Sequence, residues 1–250
     1  MIDRKELEKF GPPGFHLGQK EKDYAQHWVL SYLSRSGFNG IFKGGTCLQK
    51  AFGLPRYSED LDFTLQEEKE PDYDALSAFL SSSGFTVVSL KREESQNSIS
   101  VRLRYRGPLY AGTAISEGTL TLELSRREMP LLKPKAILIR PPYPDLLPYQ
   151  LLVMDNDEIV AEKMRALFTR VSGRDLFDLY FLFKLGACVK KELVNEKLKF
   201  YKMNFDKKIF RKKLRGIKRV WKTEISALTK APIDYEEAAR SVLKQVGLLE

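Results

Sequence analysis

The sequence predicts an α+β fold: a mixed or antiparallel sheet with flanking helices, followed by a helical C-terminal region. Two observations carry this. Short segments of alternating or apolar residues recur between residues 40 and 140, and from about Asp155 onward only helical spacing is found. Between these parts lies the proline-rich "RPPYPDLLPY", which suits a linker better than an element interior. A boundary near Pro148 therefore divides an α+β domain, residues 1–148, from a helical domain, residues 149–250. With 43% apolar residues in 250, the chain has material for real cores.

Residues 18–36 place Tyr24, Trp28, Leu30, Tyr32 and Leu33 at helical spacing, and Gly37 ends the pattern. "NGIFKGG" reads as a short strand running into a glycine turn. Thr46 stands where an N-cap would open "CLQKAFG", a helix that Gly53 and Pro55 terminate. "RYSEDLDFTL" follows as a strand and residues 72–83 as a helix. "FTVVSLKR", "SISVRLRYRG", "GTLTLELSRRE" and "KAILIR" then read as four strands separated by turn residues. "DNDEIVAEKMRALFTRVS" starts with a capping residue, Gly173 interrupts it, and "RDLFDLYFLFKLG" forms a second helix up to Gly186.

Composition narrows the chemistry. Cys47 and Cys188 match no ligand spacing, and with His16 and His27 as the only histidines a zinc site is not expected. Any metal should be held by oxygen. No run of about 18 apolar residues is present and the N-terminus lacks a secretory signal's apolar centre, so no membrane association and a cytoplasmic location are expected. The formal charge of +9 is regional. Residues 190–222 hold 14 Lys or Arg against Glu192, Glu196 and Asp206, which is +11 and leaves −2 for the rest of the chain. Such a block points to a polyanionic partner, nucleic acid first.

In an extended strand, residues two apart point the same way, so Arg56, Ser58, Asp60 and Asp62 should share one face, opposite Tyr57, Leu61 and Phe63. Aspartate has low strand propensity, and two of them about 6–7 Å apart by strand rise suit a hard cation such as Mg²⁺. Mg²⁺ commonly bridges carboxylates to phosphates. "KGGT" offers the phosphate side: Gly44 and Gly45 allow close backbone approach, and the helix after them directs free N–H groups and its positive end outward. Glu123, on the polar face of "GTLTLELSRRE", is a candidate third metal carboxylate. Downstream, Asp175 and Asp178 lie on a largely apolar helix and need cations or donors, with Arg170 and Arg174 available. Lys163 emerges from a partly apolar face.

"KGGTCLQKAFGLPRYSEDLDFTL" closely resembles the signature of the AbiEii/AbiGii-type nucleotidyltransferase toxins of the polymerase beta nucleotidyltransferase superfamily. "EIVAEKMRAL" is similar to that family's lysine-bearing helix, "RDLFDLYFL" to its Arg-Asp-x-x-Asp helix and "EKDYAQHWVLSYL" to an N-terminal element, so the likeness spans roughly residues 20 to 185. The resemblance implies a polymerase-beta-like sheet and Mg²⁺-dependent transfer of a nucleoside monophosphate from an NTP to an acceptor hydroxyl. It implies metal binding by Asp60 and Asp62, with two ions allowed. Lys43, Gly44, Gly45, Thr46, Arg56 and Ser58 would bind nucleotide, Lys163 its phosphates, and Asp175 or Asp178 would act as base or orient the acceptor or Lys163. The superfamily more often has aspartate where Glu123 stands. RNA, specifically the tRNA 3′ acceptor end, is the implied acceptor, gripped by residues 190–222, with a co-encoded antitoxin as partner and toxin-antitoxin or abortive-infection phage defence as setting. Two competing readings stand beside it: a catalytically silent RNA-binding module of the same fold, and a phosphotransferase or nucleotidyltransferase acting on a protein partner.

Overall fold

The computed structural model describes residues 1–230 and 233–248, in two units. The first comprises Met1–Gly53, Tyr57–Met129 and Pro134–Val153, and the second Leu54–Arg56, Pro130–Lys133 and the chain from Met154 onward. No helix among the described residues is long and apolar enough to cross a membrane.

The first unit opens with α1 (Arg4–Phe10), started by a reciprocal Asp3–Glu6 capping box, and α2 (Leu17–Arg35), started by His16 and Gln19 in the same manner. Its sheet follows as β1 (Gly40–Lys43), β2 (Leu61–Leu65), β3 (Thr86–Glu94), β4 (Ser98–Arg106), β5 (Gly118–Ser125), β6 (Lys135–Ile139) and β7 (Tyr149–Val153). Helix α3 (Gly44–Phe52) joins β1 to β2, and α4 (Tyr73–Ser82), capped by Asp72, precedes β3. The strand order is β3-β4-β5-β2-β1-β7-β6. Pairs β1–β7 and β2–β5 run parallel and the others antiparallel, so the sheet is mixed.

Register sorts side chains into two faces. Ile99, Leu124, Phe63, Phe42 and Val153 form one cross-sheet row, all buried, with the Phe42 and Phe63 rings stacked at 4.9 Å. The next row, one residue along each strand, reads Ser100, Glu123, Asp62 and Lys43 and faces the other way. Helix α2 packs against β5 and β7 with Tyr24, Leu30 and Leu33 buried. Each such side chain removed from water contributes about 1.5–3 kcal/mol.

Three local expectations change. Strand β2 starts at Leu61, not Arg56: Pro55 interrupts the backbone, Arg56 N–H turns back to the Leu54 carbonyl at 2.9 Å, and Arg56 belongs with the second unit. Helix α3 starts at Gly44 after an extended Lys43 that makes no side-chain cap, so Thr46 is a residue of the first turn and not the N-cap. Strand β7 lies beyond the proline-rich segment and still joins the sheet. Gly53 ends α3 in the left-handed conformation, φ 77°, as expected of a C-terminal glycine.

The second unit contains α5 (Asn156–Thr169), α6 (Gly173–Lys184), α7 (Lys191–Lys199), α8 (Lys207–Ser226) and α9 (Tyr235–Gln245). Helix α8 shows its design in its spacing: Phe210, Leu214, Ile217, Trp221 and Ile225 form one buried stripe, while Lys208, Arg211, Lys212, Arg215, Arg219 and Lys222 are exposed. Buried Glu158 on α5 accepts the N–H groups of Leu131 and Leu132 and the Lys197 ammonium at 2.6 Å, with both charged side chains 0% exposed. Lys197 is thus an internal tie, although it falls inside the basic block.

Candidate active site

In the first unit the chemistry gathers where β1 turns into α3 beside β2. Gly44 has φ 78°, a left-handed conformation that side chains disfavour, and a Cβ built there would stand 2.3 Å from Asp62 Oδ2. The turn and the carboxylate therefore pack directly against each other, an approach that residue 44 permits because it has no side chain. Gly45 continues the first turn of α3, whose leading N–H groups have no carbonyl of their own helix to meet. Lys43 is buried and pairs in register with Asp62. Thr46 is fully buried and its Oγ1 donates to the Asp60 carbonyl, so its hydroxyl fixes the segment that carries Asp60 rather than reaching for a phosphate.

Asp60 is exposed and Asp62 half-buried, one just ahead of β2 and one within it. Ser58 lies in the preceding extended segment, which is held by a residue that periodicity alone did not single out. Gln26, buried on α2, donates to the Ser58 carbonyl at 3.0 Å and the Glu59 carbonyl at 2.8 Å. Its signal was a lone amide amid the apolar positions of that helix. Glu123 pairs in register with Asp62, but its Oε1 accepts from Ser100 Oγ at 2.6 Å. Among the described residues no three Asp, Glu, His or Cys side chains gather as a metal-binding group. The donor set still fits Mg²⁺, which takes one or two carboxylates and completes its shell with water and substrate phosphates.

A sealed ionic knot backs α3. Asp23 on α2 accepts from Lys50 and from Gln49 (3.0 Å), both on α3, and from Tyr143 OH (2.8 Å). The Asp23 and Lys50 side chains are 1% and 2% exposed. Burial would raise the Asp23 carboxyl, but Lys50 outweighs it and holds it below the usual range; burial wins at Lys50 itself, lowering the ammonium despite Asp23. His27, against Tyr149 OH at 2.7 Å, is pushed by burial and Lys50 down to about 3 and stays neutral.

The second unit holds its own cluster. Arg56 Nε and Nη2 grip Asp178 at 2.6 and 2.7 Å, both side chains buried. This corrects the expectation that Arg56 shares the polar face of Ser58, Asp60 and Asp62. Lys163 Nζ lies 2.7 Å from Asp178 and 3.0 Å from Asp175, and Arg170 meets Asp175 at 2.7 Å. Burial acts to lower the Lys163 ammonium, but Asp178 and Asp175 override it and raise its pKa. Burial likewise acts to raise both carboxyls, yet Lys163 and Arg170 bring Asp175 down to about 2, and Arg56 and Lys163 lower Asp178. The two aspartates are thus firmly anionic supports for Lys163. Of the cations expected for Asp175 from sequence, Arg170 is the one that meets it.

No curated protein matches the chain. Among solved structures, the MenT4 nucleotidyltransferase toxin of Mycobacterium tuberculosis superposes with a TM-score of 0.67 at 19% identity, over 100% of this chain and 91% of that one. JHP933 from Helicobacter pylori gives a TM-score of 0.61 at 22% identity, over 91% of this chain and 89% of that one. At these identities the likeness is one of fold. The model of the type IV toxin-antitoxin nucleotidyltransferase AbiEii matches residues 29–245, which include both clusters described above. The chain belongs to the AbiEii family of nucleotidyltransferase toxins.

Proposed function

We propose that the protein transfers a nucleoside monophosphate from an NTP to a hydroxyl of RNA, the tRNA 3′ acceptor end first, and acts as the toxin of a toxin-antitoxin system with a role in phage defence. The observation that carries the chemistry is the close approach at Gly44, where the backbone turn that opens α3 packs directly against the Asp62 carboxylate, setting a helix N-terminus beside a candidate metal ligand. The Gly44–Gly45 turn would receive the triphosphate on backbone N–H groups, with the positive end of α3 behind them. Asp60 and Asp62 would hold Mg²⁺, one ion or two, which supplies charge neutralisation on the phosphates and a lowered pKa for the attacking hydroxyl. Lys163 would contact a phosphate, presented by Asp175 and Asp178. Because both carboxylates are engaged by cations and hold low pKa values, orientation of Lys163 suits them better than proton abstraction. Attack by the acceptor oxygen on the α-phosphorus forms a phosphodiester, and pyrophosphate leaves.

RNA as the acceptor rests on the concentration of exposed cations along α8 and the preceding residues, a charge density suited to phosphate backbones. Family membership implies an antitoxin as counterpart. Incubation with each of the four NTPs labelled at the α-phosphate, Mg²⁺ and total RNA should place label in RNA. Label in protein would move the acceptor class, and label arriving only from the γ-phosphate would replace nucleotidyl transfer by phosphoryl transfer. The Asp60→Ala, Asp62→Ala double variant should lower transfer at least 10³-fold with an unchanged melting temperature; retained transfer would remove the metal assignment.

A further inference from the structure

The turn between α7 and α8 exposes two neighbouring aromatic rings in the middle of the basic segment. Phe200 is 43% and Tyr201 39% exposed, with ring centroids 5.4 Å apart and planes at 69°. Lys199 and Lys202 flank them and are exposed, as are Lys207 and Lys208 at the start of α8. The turn is firmly built: Tyr201 N–H donates to the Leu198 carbonyl at 2.9 Å, Lys202 N–H to Lys199 at 2.8 Å and Met203 N–H to Leu198 at 3.2 Å. This is a helix-ending motif whose left-handed position usually carries glycine. Here it carries Lys202, φ 54°, the one non-glycine residue with positive φ among the described residues. The Arg165 guanidinium, on α5, sits 5.7 Å from the Tyr201 ring centroid and fixes that ring from within.

We propose that Phe200 and Tyr201 form a stacking platform for an unpaired nucleotide of the acceptor RNA, an inference that rests on RNA being the acceptor. A base lying on the Phe200 ring would meet Tyr201 edge-on, because the two rings are steeply inclined. The surrounding lysines supply the complementary charge for the phosphates on either side. Exposed aromatics among cations match the way proteins hold single-stranded RNA, where each base offers a π face, and duplex RNA does not. Lys163 and Arg165 are two residues apart on α5 and leave it on different faces, so the stacked base is not the reacting nucleotide. It is one further back along the strand, and the platform selects acceptors with an unpaired 3′ extension.

The test uses the full chain, a labelled RNA hairpin with an unpaired 3′ tail and a blunt hairpin of equal length, in anisotropy titrations over a salt series. Wild-type protein should prefer the tailed RNA, and Phe200→Leu with Tyr201→Leu should weaken tailed binding about tenfold while leaving blunt binding and the salt slope unchanged. The emission of a Phe200→Trp variant should be quenched by the tailed RNA and not by the blunt one. Unchanged tailed binding in the Leu variant, or no selective quenching, would overturn the platform and leave the RNA reading intact. Absence of wild-type binding to either RNA would overturn both.

Discussion

Each unit buries a lysine against aspartate, and the pKa values of the two lysines move in opposite directions. In the first unit Lys50 is 2% exposed, faces Asp23, and burial lowers its ammonium's pKa. In the second Lys163 is 12% exposed, faces Asp175 and Asp178, and its pKa is raised; Arg170, on the same cluster, is 62% exposed. Arg56, Lys163 and Arg170 all engage Asp175 or Asp178, and Arg170 keeps this cluster in touch with solvent. The Asp23–Lys50 pair is charge-balanced and closed. A sealed pair is a structural tie, while a cation cluster that reaches solvent is placed to meet an incoming anion.

The largest effect that separates them is catalytic. Lys163→Met should reduce NMP transfer by about 10²–10³-fold while costing no more than about 1–2 kcal/mol of stability, since Arg56 and Arg170 still pair the carboxylates. Single-turnover transfer and urea unfolding of the same sample check both halves. The mirror experiment is Lys50→Met, which leaves Asp23 buried without its cation and should cost about 3–5 kcal/mol, while activity per folded molecule changes little. Asp23→Leu together with Lys50→Met should recover most of that loss. Equal activity losses in the Lys50 and Lys163 variants would break the comparison.

Acid response should also differ between the units. His27, held at about 3 against an ordinary 6.5, is neutral in the fold, so its contribution is present above pH 6.5 and is lost as pH falls toward 3. Asp175, held at about 2 against 3.8, contributes stability above about pH 4 that is lost only as pH falls toward 2. Trp28 lies in the first unit and Trp221 in the second, so single-tryptophan variants report each unit alone. Between pH 6.5 and 4.5 the Trp28 signal should show a loss of about 2–3 kcal/mol that His27→Gln removes, with the Trp221 signal nearly flat. The smallest effect concerns the second unit's exposed cations. Lys202→Gly relieves a left-handed side-chain residue and should stabilise by about 1 kcal/mol, read in the urea midpoint, while weakening RNA binding severalfold.

Sequence reading found most elements because their signals are local. The helix over residues 18–36 and the strands of residues 85–107 follow from periodicity, caps and turn residues within each segment. What it missed depends on distant partners. Strand β7 is a five-residue stretch whose place between β1 and β6 no local pattern announces. Thr46 looked like a cap because hydroxyls usually serve as one, yet its hydroxyl donates a hydrogen bond to the Asp60 carbonyl, 14 residues on. Nothing local singles out Lys50, and its burial depends on α2 supplying Asp23. The candidate site residues were read as types and spacings within short segments, whereas the Arg56–Asp178 grip joins positions 122 apart and needed the fold.

The tight packing at Gly44 has a consequence for inheritance. A glycine codon becomes that of a bulkier residue by one nucleotide change, and any side chain at this point collides with Asp62 Oδ2 at 2.3 Å. One such mutation would disturb the turn at the head of α3 and the Asp62 carboxylate together. For a lineage that carries this chain, a one-nucleotide change at this codon is thus a short route to a disturbed turn.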